Sequence, residues 1–258
     1  MKFGVCIGDD SEKIAICKKL GFDYVESSFG MLASENEERY NLFQKALKEN
    51  NFPCISVNCF LPGSLKVTGP DVDNDALIAY IERGMRRGAA LGVKKVVFGS
   101  SGARNVVEGL SYETAVKQIV TFLRNIVSPI ADKYGITVVI EPLCSRETNI
   151  IESLREGAVF TSIVDCKRIR LLVDLYHAYH SCDTNAHIRL MTGMIKHAHI
   201  AEPEKRKFPK PGDTYDYSGF INALIDVGCD TCSVEASCSD FETEAADAIK
   251  TLRDSIAG

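Results

Sequence analysis

Glu141, Asp174, His199 and Glu235 each close a short apolar run: ITVVIE, IRLLVD, IKHAH and CSVE. Three carboxylates and one imidazole form a hard, mainly oxygen donor set, suited to a divalent ion such as Mn2+, Mg2+ or Co2+. The steps between them are 33, 25 and 36 residues, each about one strand plus one helix. That spacing puts the four on consecutive strands of a repeated βα unit and predicts a metal site at one rim of a barrel.

The rest of the chain supplies the frame such a site needs. Hydrophobic period and turn signals predict strands at 2–7, 22–26, 54–59, 94–99, 136–141, 168–174, 195–200 and 231–236. Amphipathic stretches at 9–20, 35–50, 73–91, 112–134, 153–165, 184–193, 217–228 and 241–256 read as helices. Glycines in LGFDYVE, LGVKKVVF, YGITVVI and VGCDTCSVE mark helix ends that lead into the next strand. An open doubly wound sheet is the competing arrangement, but the first turn, GDDSEK, is acidic and lacks G-x-G-x-x-G. The expectation is α/β: a single (β/α)8 TIM barrel, one domain over residues 1–258.

Composition narrows the function classes. The 258 residues are 45% hydrophobic and 25% charged with net charge −5, and no basic stripe is present, which disfavours nucleic acid as a partner. The N-terminus MKFGVCIGDD turns polar too early for a signal peptide and no apolar run is long enough to span a membrane, so the chain reads as cytoplasmic. Ten cysteines without a secretion signal are expected to be reduced thiols. Cys229 and Cys232 make a C-x-x-C, but it precedes a strand and has no second pair, which argues against zinc or redox chemistry.

Each residue also has a plainer reading. Asp174 fits a helix cap, Glu141 a solvated strand end before Pro142, and Glu235 a turn glutamate. Recurrence of the pattern on successive strands favours the ligand reading. His197 and His199 alternate, so both face the same side of the sheet. His199 lies nearer the mouth and is the better ligand; His197 reads as a buried core histidine or as a partner behind a ligand. The loop GSSGARN (99–105) lacks a phosphate-binding pattern and reads as a plain turn.

EPLCSRETN (141–149), VDLYH (173–177), HAHIAEPEKR (197–206) and SVEAS (233–237) together resemble the xylose-isomerase-like TIM-barrel superfamily, with ketose 3-epimerases nearest in function. The resemblance spans essentially the whole chain. It implies that Glu141, Asp174, His199 and Glu235 bind a divalent metal, Mn2+ foremost with Co2+, Mg2+ or Zn2+ as alternatives. It further implies that Glu141 and Glu235 serve as the acid/base pair, and that Glu147, His177 and Arg206 hold substrate oxygens. The run EPEKRKFP is one residue longer than the epimerase pattern, which leaves Lys205 as an alternative to Arg206. Cys6 stands where sugar epimerases often carry an aromatic residue, so the resemblance does not identify the sugar or say whether it is phosphorylated. A homo-oligomer, dimer or tetramer, is usual for such proteins.

The implied chemistry is proton transfer beside a carbonyl. A divalent ion that binds a ketose through two oxygens stabilises an enediolate, and carboxylates on its two faces remove and return the proton. Return to the opposite face epimerises; return to the neighbouring carbon isomerises. A keto-sugar or inosose dehydratase begins with the same abstraction and is the main alternative. An apurinic-site endonuclease on this barrel needs histidines from early strands, whereas all five here (177, 180, 187, 197, 199) follow residue 176.

Overall fold

The computed structural model describes residues 1–257; Gly258, the last residue of the expected domain, lies outside the described residues. The apolar runs form eight strands: β1 Lys2–Gly8, β2 Tyr24–Ser28, β3 Cys54–Asn58, β4 Lys95–Phe98, β5 Thr137–Ile140, β6 Ile169–Asp174, β7 Ile195–Ile200 and β8 Thr231–Val234. Each pairs in parallel with the next in chain order, and β8 returns to β1, closing the expected (β/α)8 barrel. Parallel strands need a crossover between partners and cover on the outer face, and the intervening helices provide both.

Strand alternation splits the interior in two. Residues facing outward, among them Phe98, Ile140, Val173 and Ala198, join one large apolar cluster with the helices. Val97, Val139 and Leu172 form a separate small apolar cluster, the inward-facing partners of that alternation. With Ala198 in the outer cluster, His197 and His199 both point into the lumen, as their spacing predicts.

Helix ends follow local chemistry. Asp73 and Asp216 cap Asn74–Leu91 and Tyr217–Asp226 by accepting N–H bonds from Ala76 and Ser218. Gly21, Gly92 and Gly135 end their helices with left-handed backbone, as the turn sequences predict. The expected helix 112–134 is interrupted: Leu123–Val127 is π-helical between Tyr112–Phe122 and Ser128–Tyr134. Pro129 explains the interruption, because its ring and missing N–H oppose an α-helical continuation.

Three short helices follow closely on strand ends: Phe29–Ala33, Ser101–Arg104 and Leu175–His180. The second corrects the plain-turn reading of 99–105. Arg104 within it is fully buried and donates to the carbonyl oxygens of Phe98 and Glu141 at 2.9 and 2.8 Å. It thereby ties the end of β4 to the first residue past β5. Burial pulls its pKa down to about 10.

Candidate active site

The ends of β5 to β8 bring the four expected residues together. Asp174 lies opposite His199 in the β6–β7 register, and His199 opposite Ser233 in β7–β8. Glu141 and Glu235 stand one residue past their strands, anchored by N–H bonds to the carbonyls of Phe98 and Ile200. One donor atom from each of Glu141, Asp174, His199 and Glu235 lies within 4.8 Å of all the others. His199 Nδ1 is the hub, 3.1 Å from Glu141 Oε1, 3.3 Å from Glu235 Oε2 and 3.9 Å from Asp174 Oδ2.

Burial and mutual charge make this cluster electrostatically tense. Burial, with the charges of Glu235 and Asp174, raises the Glu141 carboxyl above its ordinary range despite the His199 hydrogen bond. Burial would also raise Glu235, but His199 and Arg206 outweigh it and hold it at about 2. For His199 burial favours the neutral ring, yet Glu235, Glu26 and Glu141 raise its pKa well above that of free imidazole.

These residues fit a divalent cation. Donors about 2.0–2.2 Å from one ion lie at most about 4.4 Å apart, close to the span observed. Asp174 Oδ2 is buried with no hydrogen-bond partner in the protein, an arrangement costly for a carboxylate unless a cation faces it. Asp174 Oδ1 meanwhile accepts the His177 N–H at 2.9 Å and caps Leu175–His180. The cap and ligand readings of Asp174 are thus compatible, one oxygen for each.

Glu147, His177 and Arg206 border the cluster. His177 is buried, and its Nδ1 accepts the Cys144 N–H at 3.1 Å, which places its proton on Nε2. That Nε2 has no hydrogen-bond partner and stands 4.0 Å from Glu147 Oε2. The Arg206 guanidinium bonds Glu147 Oε1 at 3.2 Å and Glu235 Oε2 at 2.8 Å, and lies 4.9 Å from the Tyr176 ring centroid.

Arg206 has left-handed backbone, φ 52°. Its N–H donates to the Glu202 carbonyl at 2.9 Å, and its own carbonyl accepts from the Ser237 N–H at 3.0 Å. The loop therefore fixes the aim of this side chain. Lys205 instead lines an outer groove with Lys207, Phe208 and Lys210, so Arg206 is the basic residue brought to the cluster.

Two nearby groups were not singled out from sequence. Glu26 follows Tyr24 and Val25 of β2 much as Glu141 follows ITVVI, and that partial parallel was the available signal; it lies wholly buried against His199. Burial would raise its pKa, but His199 and His197 hold it well below the carboxylate range. Asn58 donates from Nδ2 to Glu235 Oε1 at 2.8 Å, for which the sequence carried no signal. Gly99 completes the wall: a Cβ there would sit 2.3 Å from Glu141 Oε2. Among the ten cysteines, all free thiols, Cys6 alone groups with site donors, Glu26 and His199.

Residues 14–255 match the family model for the xylose isomerase-like TIM barrel. No curated protein matches the sequence. D-psicose 3-epimerase from Clostridium cellulolyticum H10, solved with D-tagatose, superposes with a TM-score of 0.87 at 19% identity, covering 99% of both chains. 3-Keto-D-glucoside 4-epimerase from E. coli follows at TM-score 0.79 and 20% identity, over 100% of this chain and 98% of that one. A protein from Brucella melitensis described as AP endonuclease, family 2 superposes at TM-score 0.78 and 19% identity, over 95% of this chain and 97% of that one. At such identities the likeness is one of fold, and one fold carries different chemistries.

Proposed function

The chain belongs to the family of xylose isomerase-like TIM barrels, and from that premise we propose that it is a divalent-metal-dependent sugar epimerase or isomerase acting on a ketose or related keto-sugar. The observation that carries this reading is the convergence of Glu141, Asp174, His199 and Glu235 donors within 4.8 Å at the barrel mouth. Two structural neighbours bear the names of sugar epimerases, which supports it. An ion held by these four residues, Mn2+ foremost, would polarise the substrate carbonyl and acidify the adjacent C–H.

Glu141 and Glu235 come from strand ends separated by two intervening strands. In this reading one carboxylate takes the proton from one face of the substrate and the other returns it, the enediolate route. His177 Nε2–H donates to a substrate hydroxyl, Glu147 accepts from one, and Arg206 grips an oxygen with charge assistance. The Arg206 guanidinium already lies against Glu235 and Glu147.

Turnover of candidate ketoses, free and phosphorylated, in D2O tests the route. Deuterium is expected at the carbon next to the carbonyl in the product. Product without label, once a shielded proton carried by one base is ruled out by following substrate-derived deuterium into the product in H2O, contradicts the two-carboxylate route. An unsaturated product moves the assignment to a dehydratase.

A further inference from the structure

Glu26 lies on β2 one layer below the carboxylate cluster, and the lumen groups around it have a definite hydrogen-bond direction. Lys95 Nζ, which can only donate, reaches Thr231 Oγ1 at 2.6 Å. The Thr231 hydroxyl is therefore free to give its own hydrogen to His197 Nδ1 at 2.8 Å, which leaves the His197 proton on Nε2, 2.8 Å from Glu26 Oε2. Ser56 and Ser233 donate to that same oxygen, each at 2.6 Å. Three donors thus occupy Oε2, and Oε1 faces His199 Nε2 at 3.0 Å.

A carboxylate only accepts, so the His199 nitrogen facing Oε1 must carry the hydrogen. Nδ1 likewise hydrogen-bonds Glu141 Oε1 at 3.1 Å in the ion-free cluster; an ion among Glu141, Asp174 and Glu235 would replace that proton, and the contact with Glu26 would keep the one remaining N–H on Nε2 with the lone pair on Nδ1. We propose that Glu26 is a positioning residue for the ion site: it holds the His199 proton on Nε2 and turns the Nδ1 lone pair toward the three carboxylates. The inference rests on the reading of those four residues as ion ligands. Cys6, Glu26 and His199 also group within 4.8 Å, and an ion held there would engage His199 through the other nitrogen.

Two measurements test the role without relying on turnover. Free Mn2+ is titrated by electron paramagnetic resonance in the wild type, Glu26→Gln and Glu26→Ala, with circular dichroism to show that each is folded. Long-range 1H–15N spectra of histidine-labelled protein saturated with Mg2+ report which His199 nitrogen carries the proton. The wild type is expected to show Nε2–H and a coordinated Nδ1, and both variants to bind Mn2+ about 10- to 100-fold more weakly, with a changed His199 signature. Variants that bind as tightly as wild type overturn the role of Glu26 alone. A wild-type His199 that coordinates through Nε2 also overturns it, and decides the matter even if the variants fail to fold. A wild type that binds neither ion overturns the four-ligand reading, and this inference with it.

Discussion

The two oxygens of Asp174 stand in different settings, and the cap and the proposed ligand role are separable by substitution. Oδ1 caps the helix Leu175–His180, while Oδ2 is buried without a partner. In Asp174→Asn the amide oxygen can still accept the His177 N–H, but the side chain loses its charge. We expect Mn2+ affinity to fall about tenfold or more, as loss of a charged ligand requires, while the melting temperature of the metal-free protein stays near wild type. Calorimetric titration beside a thermal melt checks this; unchanged affinity sinks the ligand assignment, and a lowered melting temperature would show that the cap needs the charge. Asp174 was legible from sequence because a carboxylate ending the run RIRLLV is costly to bury unaided. Glu26 has the same costly placement on β2, but its partners come from β3, β7 and β8, and no local pattern relates them.

Loops and short helices decide how the strand ends are used. The segment between Ile200 and Tyr217 has no helix of its own, yet its first part is built tightly: Glu202 and Lys207 form a β-bridge, and Lys207 bridges to Ser237. Arg206 is held in that turn with its guanidinium on Glu147 and Glu235. Arg206→Ala is expected to lower kcat/KM at least about tenfold, since a charge-assisted hydrogen bond is worth about 1.5–3 kcal/mol. Lys205→Ala, altering a groove-lining residue, should change it little, and the reverse ranking in steady-state assays would show that the loop turns the other cation inward. Away from the site, the helix Asn74–Leu91 presses on Phe29–Ala33 with no room to spare. A Cβ at Gly84 would lie 2.2 Å from Phe29 Cζ, on a ring that is fully buried. Gly84→Ala should cost about 1–3 kcal/mol of stability by overpacking, despite the better helix propensity of alanine. Urea denaturation measures it, and a stability gain would mean that the interface relaxes freely.

At the scale of the whole molecule, the barrel closes through β1 and β8, and the candidate ion site is shared by four of its eight strands or their immediate ends. A ligand bound to all four favours the folded chain over the unfolded one by mass action. At a hundredfold excess over Kd the gain is about 2.7 kcal/mol, which for a protein of this size corresponds to a rise of roughly 5–11 °C in melting temperature. Mn2+ should therefore raise the melt of the wild type, chelation should reverse it, and the rise should shrink sharply in His199→Ala. An equal rise in wild type and variant would show that the ion acts elsewhere.

The sequence by itself determined the (β/α)8 order and the convergence of Glu141, Asp174, His199 and Glu235, because both follow from short-range facts. Strand and helix periods repeat along the chain, and a residue at a strand's C-terminal end goes to one rim once the barrel closes. It also placed His197 and His199 on one face, since alternation on a strand is local. Only the tertiary structure decided that Arg206 rather than Lys205 turns to the cluster, that Arg104 is buried, and that Glu26 lies under His199. These depend on a left-handed residue pinned by Ser237, on carbonyls at the ends of two neighbouring strands, and on hydrogen bonds across the lumen. Such partners are distant along the chain, and no local period records which of them will meet.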